Sequence, residues 1–374
     1  MKFIVSTSTL LDQLQQINGV VVSKPIFPIL DNFLFDIKDG VLTVISTDLE
    51  TSMTSTLKVD ANEDISIAVP SKMTFETLKS LPEQPVAFSI DAETLAVEIG
   101  SDNGRYKLTG QNGDDFPKVP QVETDKSFSM PGNQLLKAIS KTVFAASNDE
   151  LRLNLTGVYV QLAAESITFV ATDANKLVRF RHTDIKPGVE ESFILPKKAL
   201  NLLKSSLPND DTPVTIAYNK SNASFSFGTV NLICRLIDER YPDYNAVIPS
   251  ENPNRLTINR LELLNTVKRV ALFANKTTHQ IRIRLAGSEM NISAEDLDFS
   301  NEAQERLSCQ YEGEDMEIGF NARYLIDMLN TLNTENVDMH LSTPSKAALL
   351  LPAVNEKNED ILMLIMPMML NTYA

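Results

Sequence analysis

The chain has 374 residues, 43% of them hydrophobic, and a formal net charge of −15. That composition argues against disorder, no run approaches the ~20 apolar residues of a membrane span, and the polar, broken start MKFIVSTSTLLDQ does not read as a signal peptide. Cys234 and Cys309 stand far apart with no CxxC partner, which speaks against a disulfide framework or a zinc site and for a cytoplasmic setting.

The first predicted element is a short strand at Phe3, followed by a helix that carries Leu10, Leu11 and Leu14 on one face. Alternating and β-branched strands follow in FLFDIKDGVLTVIST, which ends on Thr47-Asp48. A second strand and helix come in VPSKMTFETLKSLP from Val69. The Pro- and Asp-rich stretch Gln111 to Lys126 then reads as a linker. The same order restarts at Phe128 with Leu135-Leu136, reaches Thr172-Asp173, and closes with LPKKALNLLKSSLP from Leu195. After a linker from Arg240 to Asn254, a third copy opens at Leu256 with Leu263-Leu264 and closes with FNARYLIDMLNTLN from Phe320. Its counterpart of Thr-Asp is the stretch Ala294-Glu295-Asp296. The boundaries expected are 1–120, 121–250 and 251–374.

Each copy is itself doubled. Counting five residues on from the last strand residue of each unit gives Leu10, Thr74, Leu135, Leu200, Leu263 and Leu325. Six on gives Leu11, Phe75, Leu136, Asn201, Leu264 and Ile326; nine on gives Leu14, Leu78, Ile139, Lys204, Val267 and Leu329. These offsets share one helical face, so six short amphipathic helices are predicted, with Pro70 and Pro196 in the first helical turn. A tripled unit of this size is expected to form three similar α+β domains, each with its own core.

Charge is distributed against the total. The six helical segments carry a joint +7, which leaves −22 on the remainder of a chain whose sum is −15. A shared basic helical face on an acidic body suits phosphate contacts that do not read sequence. Lysines on a single helix would be solvated decoration; a joint excess on six is harder to dismiss.

At this point the chain resembles the bacterial DNA sliding-clamp family, the DNA polymerase III beta subunits. The resemblance runs end to end: MKFIVSTSTLL, KPIFPILDNFLF, Thr47-Asp48-Leu49-Glu50, Asp115-Phe116-Pro117, Leu155-Thr156-Gly157, Thr172-Asp173, Tyr241-Pro242-Asp243-Tyr244, Glu317-Ile318-Gly319-Phe320-Asn321 and Met366-Pro367-Met368. It implies the clamp fold, a head-to-tail homodimer closed as a ring around duplex DNA, and partners that include the replicative polymerase, a clamp loader and repair proteins. It implies no cofactor, no metal, no membrane and no catalysis by the chain itself. The DNA-facing residues it implies are Lys24, Lys72, Lys79, Lys137, Lys141, Lys197, Lys198, Lys204, Lys268 and Arg269. A pocket for partner peptides maps to Leu155, Thr172, Asn175, Lys176, Leu177, Pro242, Val247, Met366, Pro367, Met368 and Met369, and the methionine-rich tail ILMLIMPMML suits a surface that accepts several partners.

This chain departs from the family pattern at Asn175 and Lys176, where histidine and arginine are usual, at Met369 in place of arginine, and in the extension from Asn371 to Ala374. Asp149 occupies a DNA-facing place that is usually neutral. The dimer contact is expected between the basic edge strand GRYKLTG (Arg105, Tyr106, Lys107, Leu108) and the acidic third repeat, with Leu272 and Phe273 in its core and Glu302 or Glu305 as charge partners.

An enzyme reading finds little chemistry. GxGxxG, GxxxxGK[ST] and GxSxG are all absent, and His182, His279 and His340 lack metal-ligand spacing. Thr47-Asp48, Thr172-Asp173 and acid pairs such as Asp210-Asp211 read as turn residues. A nuclease on a tripled scaffold and a purely protein-binding scaffold are the alternatives.

Overall fold

The computed structural model describes residues 1–22, 24–122 and 126–370; the extension from Asn371 to Ala374 lies outside them. A strand leads directly into a helix six times. The helices are α1 (Thr7–Ile17), α2 (Ser71–Ser80), α3 (Gly132–Thr142), α4 (Lys197–Ser206), α5 (Arg260–Val270) and α6 (Ala322–Thr331). Polar caps start several of them. Ser6 accepts from the Thr9 amide, Asn259 from those of Leu261 and Glu262, and Asn321 from that of Arg323. Pro70 and Pro196 correct the expectation, since each closes the preceding strand and the helix begins one residue later. At Pro70, φ −55° and ψ 113° end the strand opposite Asn32, and the missing N–H is lost before any helical bond needs it.

The five-residue column is the spine of the core: Leu10, Thr74, Leu135, Leu200, Leu263 and Leu325 are each fully buried. α4 breaks the other two columns, exposing Asn201 and Lys204, because Leu202 and Leu203 turn inward in their place.

Two compact units result, Met1–Leu136 with Lys198–Leu236, and Lys137–Lys197 with Ile237–Ala374. In the first, a five-stranded antiparallel sheet runs in the order Asp60–Ala61, Lys2–Ser6, Pro85–Ile90, Ala96–Gly100, Arg105–Thr109. Phe3 and Phe88 stack inside this unit at 4.7 Å. Beside that sheet is a nine-stranded one in which Thr51–Lys58 of the first repeat pairs with Val230–Arg235 of the second. The second unit repeats the plan. Its nine-stranded sheet joins Lys176–His182 of the second repeat to Glu359–Ile365 of the third. Its smaller sheet has four strands in the order Asn301–Ser308, Glu289–Asp296, Gln280–Ala286, Met316–Asn321. Cohesion follows the sheets rather than the repeats, so three repeats give two compact units.

Truncating the spine should therefore cost far more than trimming the exposed face. Leu263→Ala is expected to destabilise its unit by about 2–5 kcal/mol, and Lys204→Ala to stay within about 0.5 kcal/mol. Urea midpoints of the two variants check the ranking.

Candidate functional site

Two matching turns organise the surface. In the first repeat, the Thr47 hydroxyl donates to the Thr51 carbonyl and accepts from the Leu49 amide, while Asp48 accepts from the amides of Glu50 and Thr51. In the second, Thr172 donates to the Lys176 carbonyl and accepts from Ala174, and Asp173 accepts from Asn175 and Lys176. The residue between is driven to positive φ, 79° at Leu49 and 75° at Ala174. The Thr-Asp pairs are thus turn-formers, as their sequence suggests. In the third repeat the buried Asp296 ends the strand, and the turn runs one residue longer, to Asn301.

The residues expected in a peptide pocket gather around the second turn. Leu155 and Leu177 lie in one apolar cluster with Tyr241, Tyr244 and Leu362. Tyr159, which sequence reasoning missed, stacks on Tyr241 at 4.7 Å and meets Tyr244 edge-on at 6.3 Å. Both neighbours belong to the Tyr-Pro-Asp-Tyr motif, the one signal that could have pointed to it. Thr172 pairs across the sheet with Leu177, and the Met366 amide donates to the Asn175 carbonyl at 2.8 Å. Pro242, Val247 and Met366 stand exposed around the cluster. Lys176 is placed differently from an open pocket cation: it is buried, bonds Asp173 at 2.6 Å and lies 4.2 Å from the centre of the Tyr324 ring.

The tail that carries Met366, Pro367, Met368 and Met369 is tied down by its backbone. The Met368 amide donates to the Gly319 carbonyl at 2.8 Å, and Gln280 donates to the Met369 carbonyl at 3.0 Å. A Cβ on Gly319 would come within 2.7 Å of the Met368 carbonyl oxygen, so glycine is required for this approach. Met369 itself is 83% exposed. A polar cleft of about 510 Å³ nearby is lined by Arg282, Arg284, Glu317 and Leu370, none of them pocket residues expected from sequence.

The basic residues divide into committed and uncommitted groups. In the first unit Lys24, Lys72, Lys79 and Lys204 are exposed and bond no described residue, while Lys198 is paired with Asp48. In the second unit Lys137 bonds both Glu356 and Glu359 at 2.6 Å. Burial pulls its pKa down, but these two bonds hold it above the usual lysine value. Lys141 is buried and donates to the Thr331 carbonyl; burial, then the charge of Lys137, pushes its pKa down. Lys197 donates to Ala146 and Asn148, Lys268 reaches Asn330 at 3.4 Å, and Arg269 forms a two-pronged pair with Glu305. Asp149 is paired with Arg152 at 2.9 Å.

Three family models cover almost the whole chain in order: the DNA polymerase III beta subunit N-terminal domain over residues 1–120, the central domain over 129–243 and the C-terminal domain over 245–369. The beta sliding clamp of Escherichia coli K12 is 30% identical over 91% of this chain and 93% of its own length. The chain belongs to the beta sliding clamp family. The Vibrio cholerae beta sliding clamp is 28% identical over 99% of the chain and all of its own length. Among solved structures, a Pseudomonas aeruginosa sliding clamp bound to griselimycin superposes with TM-score 0.93 at 28% identity, covering 99% of this chain and 100% of that one. The Thermotoga maritima DNA polymerase III beta subunit gives 0.91 at 27%, covering 99% of both chains.

The seat of the clamp tail can be tested through its backbone. Gly319→Ala is expected to speed hydrogen exchange at the Met368 amide by about fivefold or more, as the loss of one hydrogen bond of about 1 kcal/mol implies. An unchanged rate would contradict the tight approach.

Proposed function

We infer that the chain is a processivity factor that closes with a second copy into a ring around duplex DNA and tethers the replicative polymerase to it. The observation that carries this reading is a pair of unfinished sheets. Arg105–Thr109 and Asn301–Ser308 are edge strands, each paired on one side only among the described residues. Exposed edges of this kind invite pairing with another chain. Their charges are complementary, with Arg105 and Lys107 on one and Glu302 on the other. A head-to-tail contact between different surfaces uses both edges and closes when the rotation allows.

Exposed cations then serve as sequence-independent phosphate contacts, led by the uncommitted Lys24 in its loop, Lys79 and Lys204 on their helices and the weakly held Lys268. Lys137, Lys141 and Arg269 act first as internal ties. The cluster of Leu155, Leu177 and Tyr241 with the tail from Met366 to Met369 takes short apolar peptides from the polymerase, a clamp loader and repair proteins. The chain itself hydrolyses nothing, and it works in the cytoplasm. Three domains bounded near residues 120 and 250 remain the simplest division of the repeats.

A clamp held by topology is retained on circular duplex DNA after loading and lost when the circle is cut. Equal retention on linear DNA overturns the ring, metal-dependent cleavage supports a nuclease, and no retention on either supports a protein scaffold. In equilibrium binding to a short duplex, Lys204→Ala should lower the slope of log affinity against log salt by about 1 per subunit. Lys141→Met should leave that slope unchanged.

A further inference from the structure

The chain has 12 methionines, and the fold sorts them sharply. Six are buried, Met328 and Met363 completely. Only Met73, Met366 and Met369 are exposed, at 57%, 40% and 83%. Two of those three belong to the tail at the candidate peptide pocket. Met363 stands just three residues before Met366, but it lies inside the strand Glu359–Ile365, and the chain reaches the surface directly after that strand.

Every bond that seats the tail uses the tail's main chain. The Met366 amide donates to the Asn175 carbonyl, the Met368 amide donates to the Gly319 carbonyl, and the Gln280 side chain donates to the Met369 carbonyl. No thioether sulfur takes part in them. Chemistry at sulfur can therefore change the surface of the tail without loosening its seat. The two cysteines compete poorly for an oxidant. Burial pushes the Cys234 thiol up to about 12, and burial, then the charge of Glu289, raises that of Cys309. A thiol kept protonated reacts slowly, because the thiolate is the nucleophile.

Resting on the peptide-pocket reading above, we propose that Met366 and Met369 form a reversible oxidation site, and that sulfoxide formation there releases partner peptides. Hydrogen peroxide transfers one oxygen atom to each thioether sulfur. The sulfur is oxidised by two electrons to the sulfoxide, and the peroxide is reduced and leaves as water. The product places a polar S–O group where a peptide leucine or phenylalanine meets apolar surface. A dithiol reverses the step through the methionine sulfoxide reductases, giving back the thioether with a disulfide and water. The flexible thioethers that let one surface accept several partners thus also let one modification act on all of them.

The test uses full-length protein and a fluorescein-labelled Gly-Leu-Ser-Leu-Phe peptide, chosen for the apolar cluster. Binding is followed by fluorescence anisotropy before and after mild peroxide, oxidised positions by mass spectrometry and fold by circular dichroism. Met366 and Met369 should oxidise ahead of Met328 and Met363. The peptide Kd should rise about tenfold, as loss of part of a buried methionine contact implies, with the spectrum unchanged. The A and B reductases with dithiothreitol, one enzyme for each sulfoxide epimer, should restore it. The double variant Met366→Leu, Met369→Leu, whatever its starting affinity, should bind equally before and after peroxide, whereas Met73→Leu should lose affinity as the parent does. Unchanged affinity with both sulfoxides in place overturns the switch and leaves the pocket reading standing. The same loss in the double variant, or a loss that accompanies unfolding, also overturns it. Untreated protein that does not bind the peptide overturns the pocket reading and the switch with it.

Discussion

The backbone groups of an edge strand must bond something, and this requirement governs the structure. Every N–H and C=O in a strand interior can be satisfied by its neighbours, but a sheet of finite width always leaves two sides open. Here the open side of one repeat is closed by the next repeat: Thr51–Lys58 by Val230–Arg235, and Lys176–His182 by Glu359–Ile365. Three repeats in one chain make two such seams and leave one strand of each kind over. The proposed dimer draws on that remainder.

Periodicity made the helices legible in the sequence, because a column that must be buried six times cannot hide. Even Thr74, the polar exception, is fully buried in its place. The Thr-Asp turns were legible for a similar reason, since the bonds that form each turn reach residues only two to four positions away. Contacts over long separations were not. Nothing in the local pattern around Lys137 signals Glu356 and Glu359, more than 200 residues on. Lys176 likewise resembles a free pocket cation until Tyr324 and Asp173 are seen around it. The one-residue lengthening of the third turn, which carries Leu297 and Phe299 into the open, lies in a stretch whose repeat signature is weakest.

Charge has two jobs in this molecule, and fold decides which lysine does which. Lys137, Lys198 and Arg269 are held by carboxylates, so part of their field is neutralised before any phosphate approaches. Lys24, Lys79 and Lys204 are exposed and bond no described residue. Loose, uncommitted cations suit a protein that must stay on DNA without gripping any one position. The acidic remainder of the chain disfavours binding elsewhere. The proposed peptide pocket draws on neither kind of charge: its tyrosines stack and its tail is held by backbone bonds.

In the proposed dimer, two sheets left open in one copy are completed by another. Hydrogen exchange of the amides in Arg105–Thr109 and Asn301–Ser308, followed as the protein is diluted through its dimer dissociation constant, tests it most directly. Completion predicts that the outward-facing amides of both strands are protected together at high concentration and lose protection together on dilution. Rapid exchange in either strand at concentrations where the protein sediments as a dimer would contradict it.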